Sequence, residues 1–165
     1  MCKAWEELPQ LTIIAVEGLN VGGGVALMIS FDWRVIAEDA YLYVPEIKIG
    51  INLGWNTIPR LVNMVGASKA KQIVLLDEKM SSQQALSWGL VDWISPVGQS
   101  LSMAQTIANK VTQFPSHAVK MTKQSVNAYA NALNFSSTYM DIDQALLCGK
   151  SSEAIQARNQ FSKDR

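Results

Sequence analysis

Three consecutive glycines, Gly22 to Gly24, constrain the fold of this 165-residue chain more than any other feature. They separate "LTIIAV", an apolar and largely β-branched run, from "VALMIS", an apolar run of helical character. Glycine has no Cβ, so such a junction allows either a tight strand-to-helix turn with close helix packing or the near approach of a ligand to the main chain. Two phosphate sites are excluded by spacing. A Walker loop needs lysine and then Ser or Thr after its glycines, and "GGGVAL" supplies neither. A dinucleotide fingerprint needs G-x-G-x-x-G, whereas the glycines here are Gly18, Gly22, Gly23 and Gly24. Beside the plain tight turn, an oxyanion site stays open: free N–H groups at a helix start can stabilise a carbonyl oxygen that becomes negative.

Around that junction the pattern predicts a mixed α/β layer. The segment before Pro9 has the character of a helix tail. Thr12 to Val16 fits a strand buried on both faces. A helix is expected from Gly23 to Phe31, then strands over Trp33 to Ala37 and Ala40 to Val44 with Glu38 and Asp39 at the turn. Pro45 to Trp55 carries no clear period. Thr57 is placed as a helix N-cap with Pro59 in the first turn and Gly66 as the stop, and a second helix covers Ala67 to Leu76. Ser81 and Gln84 form a capping box for a helix that closes at Gly89. A short strand at Leu90 to Ile94 precedes four helices: Ser100 to Phe114, Ser116 to Leu133, Asn134 to Cys148 and Ser151 to Ser162.

The charge balance narrows the function. Fourteen basic and fourteen acidic residues cancel, leaving no electrostatic footprint for nucleic acid or an anionic membrane. With 48% apolar and only 17% charged residues, the chain is expected to bury a core and to cover apolar surface with a partner subunit. Cys2 and Cys148 make no disulfide framework, which suits a reducing, cytoplasmic setting. The opening "MCKAWEELPQ" has charge where a signal peptide has an apolar core, and no apolar run reaches the ~20 residues of a membrane span. The single histidine, His117, forms no metal cluster alone and reads as structural.

The segment "AVEGLNVGGGVALMISFDWRVIAEDAYLYVPEIKIGI" resembles the enoyl-CoA hydratase/isomerase (crotonase) family in its Gly-x-x-x-Gly-Gly-Gly turn, Asp-x-Arg strand and following Pro-Glu. "VGASKAKQIVLLDEKMSSQQALSWGLVDWI" is similar to the family's helix pair and its "A…GLV" turn, and "MTKQSVN" fits the tail helices. The resemblance extends over essentially the whole chain. It implies a crotonase-like (ClpP/crotonase) spiral of strand-strand-helix units. The β/α core would occupy residues 1–98, and a helical region for oligomerisation and active-site cover residues 99–165. Relative to the family the chain lacks the N-terminal part of the usual domain, which elsewhere supplies further strands, much of the CoA surface and the second oxyanion donor. Two consequences are expected: an unpaired edge at Thr12 to Val16, and roughly 3–4 kcal/mol less transition-state stabilisation.

By resemblance, Gly23 falls where the family supplies an oxyanion amide and Glu46 where it places a catalytic carboxylate. Ala26 falls where hydratases place a second glutamate. Gly22, Gly24, Pro45, Leu53 and Trp55 are implied to contact substrate. The substrate implied is an acyl-CoA thioester, with coenzyme A entering as part of it, no other cofactor and no metal. Trimers or hexamers are implied, with no nucleic acid and no membrane as partner. Hydration uses two glutamates, whereas moving a double bond needs one base, so Ala26 favours isomerisation. A non-catalytic acyl-CoA-binding or assembly subunit, or an inactive fragment of a longer protein, stands as the alternative. Val44, Pro45, Ile47 and Ile49 are expected to desolvate Glu46 and raise its pKa; its bland alternative is a solvated loop residue. Trp55 either shapes the acyl pocket or packs in the core, the commoner state of a tryptophan. Arg60 is expected as an internal ion-pair partner, and Glu17, Asp32, Glu38 and Asp39 as solvated or capping groups. Met121, Tyr129, Phe135, Tyr139 and Met140 are expected in helix packing or a subunit interface.

Overall fold

The computed structural model describes residues 1–163, apart from the side chain of Phe135. After helix α1 (Cys2–Glu6), the chain alternates between two sheets. Strand β1 (Ile13–Val16) joins the first and β2 (Leu19–Val21) the second. Helix α2 (Gly23–Met28) returns the chain to β3 (Trp33–Ala37) in the first sheet and β4 (Tyr41–Tyr43) in the second. A 3₁₀ turn (Glu46–Ile49) and α3 (Thr57–Leu75) then lead to β5 (Met80–Ser81), α4 (Ser82–Trp88) and β6 (Trp93–Ser95). The first sheet has the order β1-β3-β6 and is parallel throughout, with Ala15 opposite Val35 and Val35 opposite Trp93. The second has the order β2-β4-β5, parallel then antiparallel. Each strand-strand-helix unit is thus one turn of a spiral, as the resemblance implied.

Parallel strands need crossovers, and helices packed on a sheet face make its strands apolar on both sides. Val35, Ile36 and Ala37 of β3 are accordingly fully buried. The core joins Ile36 and Ala37 to Val25 and Met28 of α2, Leu42 and Val44 around β4, Leu61 of α3 and Leu90. Four helices follow: α5 (Ser100–Val111), α6 (Ser116–Ala130), α7 (Phe135–Thr138) and α8 (Asp141–Lys150); α9 (Ser152–Lys163) ends the described chain. Among the described residues no helix is long and apolar enough to cross a membrane.

Several sequence expectations need correction. β2 and β5 were not expected; they are two or three residues long and owe their existence to pairing with β4. Helix α2 stops at Met28, where Ile29 caps it and the chain turns into Ser30 and Phe31. Leu90 and Val91 are buried in a turn, and only Trp93–Ser95 pair as a strand. The helix expected over Asn134 to Cys148 breaks at Tyr139 and Met140, and α8 restarts with Asp141 and Asp143 in its first turn, where carboxylates favour the positive dipole end. Thr57 does not cap α3: it lies inside the helix, fully buried, and Asn56 is the left-handed N-cap. The break at Gly66 does occur, with φ 79° and ψ 161° inside α3, and Ser81 Oγ does accept from the Gln84 amide at 3.2 Å.

Asp32 is not a solvated residue. Its carboxylate accepts from Lys123 Nζ at 2.7 Å and from the Thr12 amide and hydroxyl at 2.7 and 2.8 Å, tying α6 to the start of β1. Glu17 caps across the fold, accepting from the Gly98 and Ser100 amides and the Ser100 hydroxyl at the start of α5. Those bonds, led by the Ser100 hydroxyl, hold its pKa below the ordinary carboxylate value. Arg60 is the internal ion-pair partner expected, 3% exposed and 2.6 Å from Glu6 Oε2. Glu38, Asp39 and His117 are exposed. Met121 and Tyr129 point outward, 66% and 90% exposed, so they do not pack within the chain.

Candidate active site

Gly22 is the hinge of the site. Its amide donates to the Tyr43 carbonyl at 2.8 Å, so the end of β2 is still pinned to β4 where α2 begins. There φ is 53° and ψ −113°, a combination that suits glycine alone. An added Cβ would stand 2.5 Å from Glu46 Oε1. The missing side chain is therefore what lets the Glu46 carboxylate lie against the main chain. Gly23, one residue on, opens α2, and the first amides of a helix lack an intrahelical acceptor. Gly24 faces the Asn20 side-chain amide, which fills the space a Cβ would need. That contact is structural.

Pro45 leads into the 3₁₀ turn, which carries Glu46 as its first residue. Glu46 is half-buried, and its Oε2 is fully buried with no hydrogen-bond partner among the described residues. Burial raises its pKa above the ordinary carboxylate value, and a bond from its own backbone amide opposes that shift. Of the four neighbours expected to desolvate it, Val44 is buried, Pro45 and Ile49 are partly buried, and Ile47 is 42% exposed.

Beside Glu46 lies a cavity of about 390 Å³. It is lined by Gly23 and Ala26 of α2, by Glu46, by Leu53, Gly54 and Trp55 of the following loop, and by Asp141, Ile142 and Leu146 of α8, among others. Gly23, Glu46, Leu53 and Trp55 thus line one cavity. Gly22, Gly24 and Pro45 are not among the lining residues, although Gly22 lies against the Glu46 carboxylate and Pro45 precedes it in the chain. Trp55 is no core residue: it is 61% exposed, and its ring edge lies 3.0 Å from where a Gly23 Cβ would be. Trp55 and Asn56 both have positive φ, near 60°. Arg60 Nη1 holds that turn by donating to both their carbonyls, at 2.9 and 3.1 Å.

Sequence reasoning missed Asp141 and Asn52. Asp141 Oδ2 accepts from the Asn56 amide at 2.9 Å, and Asn52 Nδ2 donates to Gln144 Oε1 at 2.9 Å. Both contacts bring α8 onto the loop. A separation of 85 residues leaves no local signal for such a meeting. A larger cavity of about 760 Å³ lies near α5 and α6. Among its charged lining residues Asp32 pairs with Lys123, Arg60 with Glu6, and Arg34 with Asp92 from outside the cavity, so among the described residues each of its carboxylates has a partner.

The α/β spiral of two sheets thus brings a helix-start residue, Gly23, and a half-buried carboxylate, Glu46, onto one cavity. The family model "Enoyl-CoA hydratase/isomerase" matches residues 2–161. The chain belongs to the enoyl-CoA hydratase/isomerase family. It is 34% identical over 122 residues to a short-chain-enoyl-CoA hydratase of Clostridium acetobutylicum, covering 74% of this chain and 47% of that one. Over 132 residues it is 29% identical to an enoyl-CoA isomerase/hydratase of Mycosarcoma maydis, covering 79% and 48%. An enoyl-CoA hydratase structure from Mycobacterium avium subsp. paratuberculosis superposes with a TM-score of 0.92 at 24% identity, over 99% of this chain and 67% of that one. The fold is therefore crotonase-like. The chain spans about half the length of the curated relatives it matches.

Proposed function

We propose that this protein acts on acyl-CoA thioesters and shifts a double bond between the 3- and 2-positions, with Glu46 as the base. The observation that carries the proposal is the shared cavity. It sets Glu46 and Gly23, the opening residue of α2, on one cavity, together with Ala26, where by resemblance a second glutamate would be needed for hydration. A thioester becomes acidic at its α-carbon when its oxygen is stabilised as charge develops, and each donor aimed at that oxygen contributes ~10²–10³ in rate. A positioned carboxylate contributes a further ~10²–10⁴. The Gly23 amide serves the oxygen, Glu46 takes the C2 proton, and Leu53 and Trp55 border the acyl chain. Coenzyme A arrives as part of the substrate, and no further cofactor enters the scheme.

The rest of the reading concerns setting and assembly. Homo-oligomers, trimers or hexamers, would cover the apolar residues that α6 to α8 leave outward, among them Leu133, Ile142 and Leu147. A cytoplasmic setting accords with two cysteines that form no disulfide.

Turnover of 3-enoyl-CoA and 2-enoyl-CoA, measured beside the melting midpoint with each ligand, tests the proposal. Isomerisation faster than hydration, with a midpoint raised by ligand, is expected. A raised midpoint without turnover would make the chain a binder. Hydration as the faster reaction would overturn the role given to Ala26.

A further inference from the structure

Tyr43 and Lys48 flank Glu46 in the chain, and their side chains meet on a residue far from them in sequence. Asp77 lies in the loop between α3 and β5. Its Oδ1 accepts from the Tyr43 hydroxyl at 2.6 Å, and its Oδ2 pairs with Lys48 Nζ at 2.6 Å. Lys48 Nζ is also 3.5 Å from the Tyr43 hydroxyl oxygen, which closes the cluster. One carboxylate thus spans the two ends of the segment that bears Glu46. Asp77 holds a left-handed backbone, φ 56°, uncommon for any residue but glycine. Glycine would suit that backbone better and would supply neither bond.

The span matters because each end leads to Glu46. Tyr43 closes β4, and its carbonyl accepts from the Gly22 amide at 2.8 Å. Gly22 is the residue against which Glu46 Oε1 lies. Lys48 belongs to the 3₁₀ turn that Glu46 opens, and its amide donates to the Pro45 carbonyl at 2.9 Å. At the far end of that turn α9 packs on the main chain, since a Cβ on Gly50 would stand 2.5 Å from Ala154 Cα. Asp77 holds the end that carries Glu46. It is not among the residues lining the Glu46 cavity, so it is placed to touch neither substrate nor the reacting carbon.

We infer that Asp77 is a positioning residue for this site, locking Tyr43 and Lys48 so that the Glu46 carboxylate keeps one place against Gly22. The inference rests on the reading of Glu46 as the base and adds what aims it. Lys48 is half-exposed in the pair, and ion pairs of that kind contribute little to stability. Its value here is geometric, because a misplacement of about 1 Å can cost ~10² in rate.

Asp77→Gly removes the carboxylate while suiting the left-handed backbone, so the variant is expected to fold. The readout is α-carbon exchange of a saturated acyl-CoA in D2O. The variant is expected to keep the KM of the unmodified protein while kcat for exchange falls about tenfold or more. Asp77→Asn keeps an oxygen for the Tyr43 hydroxyl and is expected to recover part of the rate. Tyr43→Phe is expected to slow the unmodified protein several-fold and to add nothing in the Asp77→Gly background, since the hydroxyl acts through Asp77. Exchange at the unmodified rate in Asp77→Gly or in Tyr43→Phe would overturn the inference and leave Glu46 as the base. A raised KM with kcat unchanged would overturn it too, by assigning Asp77 to binding. Absence of exchange in the unmodified protein would instead remove Glu46 as the base, and the role of Asp77 with it.

Discussion

At Gly22 the main chain adopts a conformation that disfavours any side chain, in the one place where a side chain would displace the Glu46 carboxylate. Gly22→Ala should therefore cost about 1–3 kcal/mol of backbone strain and should also move the carboxylate. Since a misplacement of about 1 Å can cost ~10² in rate, turnover is expected to fall at least tenfold in protein that remains folded by circular dichroism. Full activity in that variant would mean that the contact is incidental. The raised pKa of Glu46 gives a second prediction. A base works when ionised, so the rate should fall as pH drops through the folded value, which is raised above the ordinary carboxylate value. For stability the sign is opposite. A raised folded pKa favours the protonated form, so its contribution is fully present below the unfolded value and is lost as pH rises through the folded one. Glu46→Gln should accordingly raise the melting midpoint at neutral pH relative to the parent, and lose that advantage in acid. An equal difference at both pH values would contradict the burial argument.

Among the elements, the lock between α6 and β1 makes the sharpest stability prediction. Lys123 and Asp32 side chains are 5% and 15% exposed, and Lys123 Nζ also donates to the Gln10 carbonyl. Removing one partner of a buried pair costs about 3–5 kcal/mol. Because Asp32 keeps its two bonds from Thr12, Lys123→Met is expected at the low end, about 3 kcal/mol in urea unfolding. A loss below about 1 kcal/mol would place the pair among ordinary surface ion pairs. These elements also differ in how far their sequence announced them. β1 and β3 are apolar runs long enough to stand out although their partners are distant, and the Gly66 break and the Ser81 cap depend on neighbours within a few residues, so each left a local pattern. β2 and β5 exist only through β4, and so left none. The left-handed Trp55–Asn56 turn is imposed by Arg60 and Asp141, from five and 85 residues away. Glu46 and Gly23 could be named through the family resemblance, but Asp141 could not, because nothing near it in the chain marks it as a cavity residue.

At the scale of the whole molecule, two short sheets are wound into a spiral and close one cavity with the help of α8. β1 and β2 end their sheets, each pairing on one side only among the described strands. The chain also spans about half the length of its curated relatives. The central claim is nevertheless local: the opening amide of α2 and the Glu46 carboxylate act on one thioester. Hydrogen exchange at the α-carbon of a saturated acyl-CoA, followed in D2O, measures that step without any later chemistry. The unmodified protein is predicted to label the α-carbon, and Glu46→Gln to lower that rate by ~10²–10⁴ with folding intact. Equal labelling by the two proteins would contradict the account.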